Sequence, residues 1–155
     1  MSVENFVALV AEVTAAIDGL PVDKSLEAEL NRRFPADGEV FQGIAAACRD
    51  GVAEGWMCKH EQGGIRFGRV AKPGPQLHGF SIDVVEMADV VGPHHEHPQG
   101  EIDMIMPLEG EARFDGAGAG WFVYGPGSAH RPTVTGGRAH VLYLLPGGEI
   151  RFTGQ

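Results

Sequence analysis

Residues 92–110, GPHHEHPQGEIDMIMPLEG, place three histidines within four positions and follow them with a turn and a carboxylate. On a β-strand, His95 and His97 project from one face while His94 points the opposite way. The Pro-Gln-Gly turn that follows returns Glu101 beside the two imidazoles. Two imidazoles and one carboxylate on a concave face form a ligand set suited to Fe(II), Mn(II), Ni(II) or Zn(II).

A fourth ligand is expected from His130, which follows the tight turn GPGSA about thirty residues downstream. The alternative interpretation is a solvated, salt-bridged histidine loop. The combination of H-x-H-x3-E with a later PGSxH favours a metal site, because ligand type, facing and spacing agree. We expect His94 to point outward. We expect structural roles for the three remaining histidines, His60, His78 and His140. Of these, His78 and His140 are the better candidates to line a pocket.

The composition favours many short strands and argues against several classes of function. The 155 residues include 23 glycines and 10 prolines, and such turn-rich chains are typical of β-proteins rather than helix bundles. The 12 basic and 21 acidic residues give a formal charge of −9, which is a poor match to a nucleic-acid backbone. No apolar stretch approaches the roughly 18–20 residues of a membrane span. Because no signal peptide or cysteine framework is recognisable either, we expect a cytoplasmic protein.

Two regions of unlike pattern divide the chain. Residues 1–52 carry apolar positions at helical spacing in three segments and predict a helical cap. From about residue 55 to 152, short apolar runs alternate with turn signals, which predicts an antiparallel β-sandwich or barrel. We expect the cap and the barrel to pack as one unit. A hairpin is predicted first, from WMCKH and IRFGRV on either side of EQGG. The strand candidates after it are LHGFSIDVVEM, EIDMIMPL, EARFD, GWFVY and RAHVLYLL.

The histidine-rich stretch and the later GWFVYGPGSAH resemble the two cupin motifs, G-x5-H-x-H-x3-E-x6-G and G-x5-P-x-G-x2-H-x3-N. The resemblance implies a mainly β, jelly-roll barrel and a homo-oligomer, a dimer. It also implies that the metal ligands are His95, His97, Glu101 and His130. Eight residues rather than six separate Glu101 from Gly110, the last glycine of the first motif. Because the two extra residues preserve the alternation of side chains along the strand, Asp103 is expected on the same strand face as Glu101. Three other departures from the motifs are not ligand positions: Asp89, Gly125 and Val134.

A narrower resemblance extends over nearly the whole chain. The helical start, GVAEGWMCKHEQGGIRFGRV, LHGFSIDVVEM, YGPGSAHRPTV and RAHVLYLLPGGEI are together similar to the small cupin-type 4-hydroxylaminobenzoate lyases of nitroaromatic degradation. This resemblance implies a lyase that converts 4-hydroxylaminobenzoate to 3,4-dihydroxybenzoate and ammonia. With the ligand set above, it implies a divalent Fe, Mn, Ni or Zn ion as cofactor.

The implied reaction must break an N–O bond, and a Lewis-acid metal or a protonated side chain helps that oxygen leave. We expect Asp103 to carry protons, with His94 and Tyr143 as weaker candidates, and we count Glu101 with Asp103 as catalytic. The substrate carboxylate calls for a guanidinium, which binds carboxylates in bidentate fashion. Contacts with the substrate are expected from Arg66, Arg131 and Tyr143, with Arg69 as a further candidate.

Two other classes of function fit the same motifs. A small cupin dioxygenase acting on an aromatic or small acid substrate would keep the metal and consume oxygen during turnover. A non-catalytic, ligand-binding cupin would bind tightly without turnover. No helix-turn-helix signal accompanies the barrel, which argues against a DNA-binding regulator.

Overall fold

In the computed structural model, which describes residues 1–155, three helices precede all of the strands. They are α1 (Val3–Ile17), α2 (Lys24–Arg33) and α3 (Glu39–Glu54). Ser2 and Asp23 cap the first two helices, since each side chain accepts hydrogen bonds from backbone N–H groups of the first turn. Gly55 ends α3 in the left-handed region, at a φ of 87°. None of these helices has the length and apolar character that crossing a membrane requires.

Nine strands form two sheets in which every pairing is antiparallel. The larger sheet has the order β1-β2-β3-β8-β5-β6, and the smaller has the order β7-β4-β9. The predicted fold class is confirmed, because the chain is mainly β, with antiparallel sheets and a helical N-terminal part. The strands are β1 (His60–Gln62), β2 (Ile65–Ala71), β3 (Phe80–Val91), β4 (His95–His97), β5 (Glu101–Phe114), β6 (Gly120–Tyr124), β7 (Ser128–His130), β8 (Thr133–Pro146) and β9 (Arg151–Phe152).

The structure differs from the sequence prediction along β5, where one continuous strand replaces the two expected as EIDMIMPL and EARFD. Its pairing with β8 shifts register between Pro107 and Glu109, and again between Gly110 and Arg113. The backbones approach closely here, because a Cβ at Gly137 would collide with the carbonyl oxygen of Glu109. The glycine signals therefore mark β-bulges inside a long strand rather than a turn between two strands.

The six-stranded sheet presents its two faces to different layers. Val84, Met104 and Leu142 belong to a buried cluster that includes the apolar faces of all three helices. The residues next to two of them in sequence, Val85 and Ile105, belong to a second cluster on the opposite face. That opposite face turns toward the three-stranded sheet, and the cavity described below lies between them. The division into a cap and a barrel near residues 52–55 stays a prediction.

Candidate metal centre

Strand pairing brings the four expected ligands together. His95 and His97 lie on β4, the central strand of the smaller sheet, and His130 on β7 is the direct cross-strand partner of His95. The turn after β4 closes with Gly100, whose φ is 95°, and Glu101 then begins β5. One ligand atom from each of the four residues lies within 4.8 Å of the others. The four side chains therefore lie together, as the sequence predicts.

The carboxylate of Glu101 sits at the middle of three imidazoles. Its Oε1 lies 3.2 Å from Nε2 of His95 and 3.2 Å from Nε2 of His97, and its Oε2 lies 3.3 Å from Nε2 of His130. The Nε2 atoms of His95 and His130 are themselves only 3.1 Å apart. Glu101 and His97 are completely buried, so water does not separate these atoms.

The other ring nitrogen of each histidine faces a hydrogen-bond acceptor. The Nδ1 of His130 lies 2.5 Å from Oδ2 of Asp115, and the Nδ1 of His95 lies 3.4 Å from the carbonyl oxygen of Pro93. The Nδ1 of His97 lies 2.9 Å from Oγ of Ser128, which donates its own proton to the carbonyl oxygen of Gly125. Each Nδ1 therefore acts as the donor, and in a neutral imidazole this leaves a lone pair on Nε2.

The four converging atoms are consequently all electron-rich. Nε2 of His97 and Oε2 of Glu101 are buried without a hydrogen-bond partner, which is costly unless a cation lies between them. Three imidazole nitrogens and one carboxylate oxygen are suitable ligands for Fe(II), Mn(II), Ni(II) or Zn(II). The residues present therefore fit a divalent metal ion, and the orientation of each ring by a second partner is the arrangement usual for metal-ligating histidines.

Protons compete for the same position. Burial opposes the charged form of His130, but the carboxylates of Asp115 and Glu101 raise its pKa to about 9. Because the ligating imidazole must be unprotonated at Nε2, metal binding is expected to weaken as the pH falls.

Asp115 fixes the position of His130 and was not anticipated from the sequence. Its Oδ2 accepts hydrogen bonds from the Tyr124 hydroxyl and from Nδ1 of His130, both at 2.5 Å, and its Oδ1 accepts one from the backbone N–H of Thr133 at 2.9 Å. The dipeptide Asp115-Gly116 has the form of an ordinary turn signal. Nothing local in the sequence indicates that the aspartate reaches a histidine fifteen residues away.

Substituting Asp115→Asn is expected to weaken metal binding by about 10–100-fold, the usual cost of losing an outer partner of a ligating histidine. The amide removes the negative charge that orients and polarises His130 while it keeps the shape of the side chain. Metal titration of the purified variant measures the change, and Tyr124→Phe, which leaves the carboxylate in place, serves as the control with the smaller effect. An unchanged affinity in Asp115→Asn would show that this carboxylate does not support the site.

Asp103 lies beside the cluster but outside it. It is completely buried on the same face of β5 as Glu101, and neither carboxylate oxygen has a hydrogen-bond partner. Burial, followed by the charge of Glu101, raises its pKa well above the ordinary range for aspartate. Its cross-strand neighbour on β8 is Tyr143. A buried carboxyl group without partners does not stabilise a fold, so its presence points to a functional role.

A cavity of about 860 Å³ opens next to the cluster, between the two sheets. His95 and Tyr143 lie on its wall, with their ring centroids 6.4 Å apart. Arg131 also lines it, and its guanidinium donates to the backbone carbonyl oxygen of Gln155. The remaining walls are largely apolar and include Ile65, Phe67, Val85, Met87, Leu145, Ile150 and Phe152.

Several residues named from the sequence lie away from this cavity. Arg66 is not among the lining residues, and its guanidinium lies 3.7 Å from the carboxylate of Glu86. His94 is outside the four-residue cluster, with its Nδ1 2.5 Å from the hydroxyl of Thr153. His78 contacts Thr14 and His140 contacts Glu86, and neither of them lines the cavity. The histidine that does line it, besides His95, is His60.

Comparisons with known proteins give consistent results. A family model described as PnbB: 4-hydroxylaminobenzoate lyase matches residues 8–152. A 4-hydroxylaminobenzoate lyase of Nocardioides sp. (strain LMS-CY) is 36% identical, over 83% of this chain and 82% of that protein. A 4-hydroxylaminobenzoate lyase of Pseudomonas putida is 31% identical, over 98% of this chain and 96% of that protein. Among solved structures, an oxalate oxidase in complex with the substrate analogue glycolate is 22% identical over 60% of this chain and 57% of that chain, with a TM-score of 0.44.

Proposed function

The chain belongs to the 4-hydroxylaminobenzoate lyase family, and from this premise we propose that it converts 4-hydroxylaminobenzoate and water to 3,4-dihydroxybenzoate and ammonia. We propose further that the reaction depends on a divalent metal ion held by His95, His97, Glu101 and His130. The observation that carries the second proposal is the set of inward-facing Nε2 atoms around a buried carboxylate, next to a cavity that His95 lines. The cytoplasmic location and the homodimer stay predictions.

The overall reaction is balanced without an oxidant or reductant. Cleavage of the N–O bond expels the hydroxyl oxygen as water once it is protonated, and leaves an electron-poor ring. One water molecule adds to the ring carbon ortho to the carbon that bears the nitrogen. A second water molecule hydrolyses the resulting imine and releases ammonia. Tautomerisation then restores the aromatic ring. The net change is the uptake of one water and the loss of one ammonia. A nucleotide cofactor is not needed for any of these steps.

A bound divalent ion supplies Lewis acidity, which polarises an N-hydroxyl oxygen or a water molecule. The three histidines and Glu101 would hold the ion, and Asp115, Ser128 and the carbonyl group of Pro93 fix the rings through their Nδ1 atoms. The chain thereby directs all three Nε2 atoms inward before any substrate arrives, so little reorganisation is needed during the reaction.

Proton transfer is assigned to Asp103. It is a carboxyl group enclosed beside Glu101 and across the strand pair from Tyr143, whose side chain lies on the cavity wall. Side chains at such paired positions share a face of the sheet and lie in contact range. We propose that Asp103 donates a proton to the leaving hydroxyl oxygen and accepts one from the water that adds to the ring. Tyr143 lies between Asp103 and the cavity in this proposal.

The cavity suits an aromatic substrate. Its walls are mainly apolar side chains, which favour burial of a benzene ring over its exposure to water. Tyr143 is positioned to contact that ring near His95, and Arg131 stays a candidate for contact with the substrate. Since Arg66 does not line the cavity, a direct contact with the substrate is not proposed for it.

Product analysis tests this proposal. Purified protein incubated with 4-hydroxylaminobenzoate is expected to release 3,4-dihydroxybenzoate and ammonia in equal amounts, while an oxygen electrode records no uptake. Oxygen consumption in proportion to turnover would favour the dioxygenase alternative instead. Tight binding of the substrate without any product would favour a ligand-binding protein.

A further inference from the structure

One arginine on the cavity wall is held in place and still has free donors. The Nε of Arg69 lies 3.1 Å from Oδ1 of Asp83, its Nη2 lies 3.2 Å from Oδ2, and Nη2 also donates to the carbonyl oxygen of Gly148 at 3.1 Å. These contacts use Nε and Nη2 only. A guanidinium has five N–H groups in a fixed plane, so the two on Nη1 remain available to a ligand.

The absence of a side chain at Gly148 leaves room for the Nη1 end of the Arg69 guanidinium. A Cβ at Gly148 would lie 2.9 Å from Nη1 of Arg69, so a larger residue there would crowd the free edge of the guanidinium. Arg69 and Asp83 both line the cavity, and their side chains are 35% and 20% exposed. The ion pair therefore lies on the cavity wall. Because Asp83 holds the guanidinium in one orientation, little ordering of Arg69 is needed when a ligand binds.

Strand register places Arg69 in one row of cross-strand partners with Tyr143, whose ring lies beside His95 of the metal cluster. Arg69, Asp83, Tyr143 and Asp103 are successive cross-strand partners on β2, β3, β8 and β5. Arg69 is two strands away from Tyr143, a backbone separation of roughly 10 Å. The ring centroids of Tyr143 and His95 lie 6.4 Å apart, and both residues line the same cavity as Arg69.

We propose that Nη1 of Arg69 binds the ring carboxylate of the substrate, and that Asp83 is the residue that positions the guanidinium. The carboxylate and the nitrogen of 4-hydroxylaminobenzoate lie at opposite ends of the ring, which matches the placement of Arg69 and the cluster. The site thereby selects arylhydroxylamines with a carboxylate para to the nitrogen. This inference rests on the proposed function for the identity of the substrate. Arg131 differs because no carboxylate side chain fixes its guanidinium, which contacts the backbone carbonyl oxygen of Gln155.

The test uses 4-aminobenzoate, an unreactive probe with the same carboxylate, and aniline as its counterpart without one. Calorimetry is expected to show that Arg69→Gln binds 4-aminobenzoate about 10–100-fold more weakly, the usual range for losing hydrogen bonds between charged groups. Binding of aniline is expected to stay unchanged. Arg69→Lys keeps the positive charge but lacks the planar set of guanidinium donors. We expect this variant to remain folded and to lose a large part of its affinity for 4-aminobenzoate. Arg138→Gln, which removes an ion-paired arginine away from the cavity, is the matched control.

Kinetics separate the positioning role of Asp83 from a purely structural one. For Asp83→Asn we expect a higher KM for 4-hydroxylaminobenzoate with kcat nearly unchanged, and no change in KM for phenylhydroxylamine, which has no carboxylate. Unchanged 4-aminobenzoate affinity in Arg69→Gln, or loss of that affinity in Arg131→Gln instead, would overturn the assignment while the lyase reaction stands. If wild-type protein binds 4-aminobenzoate through Arg69 without turning over 4-hydroxylaminobenzoate, the carboxylate site stands and the proposed reaction does not.

Discussion

His97→Ala is expected to lose its bound metal and with it nearly all lyase activity. His97 is completely buried and its Nε2 has no partner except the electron-rich atoms of the cluster. Removing it deletes one of four donors, so the loss of affinity should exceed the roughly 10–100-fold that an outer partner costs. Elemental analysis of protein purified without chelators, together with the rate of ammonia release, measures both effects.

His94→Ala is the matched control for that experiment. His94 lies beside His95 in sequence, but it points away from the cluster and contacts Thr153. We expect this variant to keep its metal, and we expect His95→Ala to behave like His97→Ala. Equal loss of metal from all three variants would contradict the assignment of ligands by strand face and indicate an unspecific histidine loop.

Asp103→Asn is expected to lower turnover by about 10²–10⁴, the range for losing a general acid or base. The metal content should stay at the wild-type level, because Asp103 is not one of the four clustered residues. Thermal unfolding should not occur at a lower temperature, since the amide has nearly the same shape as the carboxyl group and burial already raises the pKa of Asp103 and favours its uncharged form. Rates, metal content and Tm of the same preparation check these expectations together.

Glu101→Gln distinguishes the two neighbouring carboxyl groups. Glu101 lies 3.2–3.3 Å from the three Nε2 atoms, so its substitution should weaken metal binding as well as lower the rate. Full activity in Asp103→Asn would remove Asp103 from the mechanism. Metal loss equal to that of Glu101→Gln would make Asp103 a ligand instead of a proton carrier.

Alternation along one short strand explains why the sequence predicts the centre of the site. His95 and His97 are two residues apart, and a turn then leads directly to Glu101, so local geometry is enough to group these three. His130 is recognisable only through its glycine-rich turn and the resemblance to cupins. The pairing of β4 with β7, which places His130 opposite His95, is a long-range contact.

The residues that support the site are harder to predict because each depends on contacts between distant segments. Asp115 lies in the connection between β5 and β6 and reaches His130 on β7, and Arg69 meets Asp83 only after β2 pairs with β3. In the sequence, Asp115 has the form of a turn aspartate and Asp83 that of an ordinary strand charge, while Arg69 is one of three arginine candidates for the substrate carboxylate. The continuous β5 was missed for a related reason, since a glycine inside a bulge and a glycine in a turn give the same local signal.

Ammonia release in the absence of oxygen, measured before and after removal and restoration of the metal, tests the central claim most directly. We expect protein treated with a chelator to lose its activity on 4-hydroxylaminobenzoate, and addition of one equivalent of the native divalent metal to restore equal yields of ammonia and 3,4-dihydroxybenzoate. The same restoration should fail in His97→Ala. Full anaerobic activity in wild-type protein shown by elemental analysis to contain no metal would contradict the account.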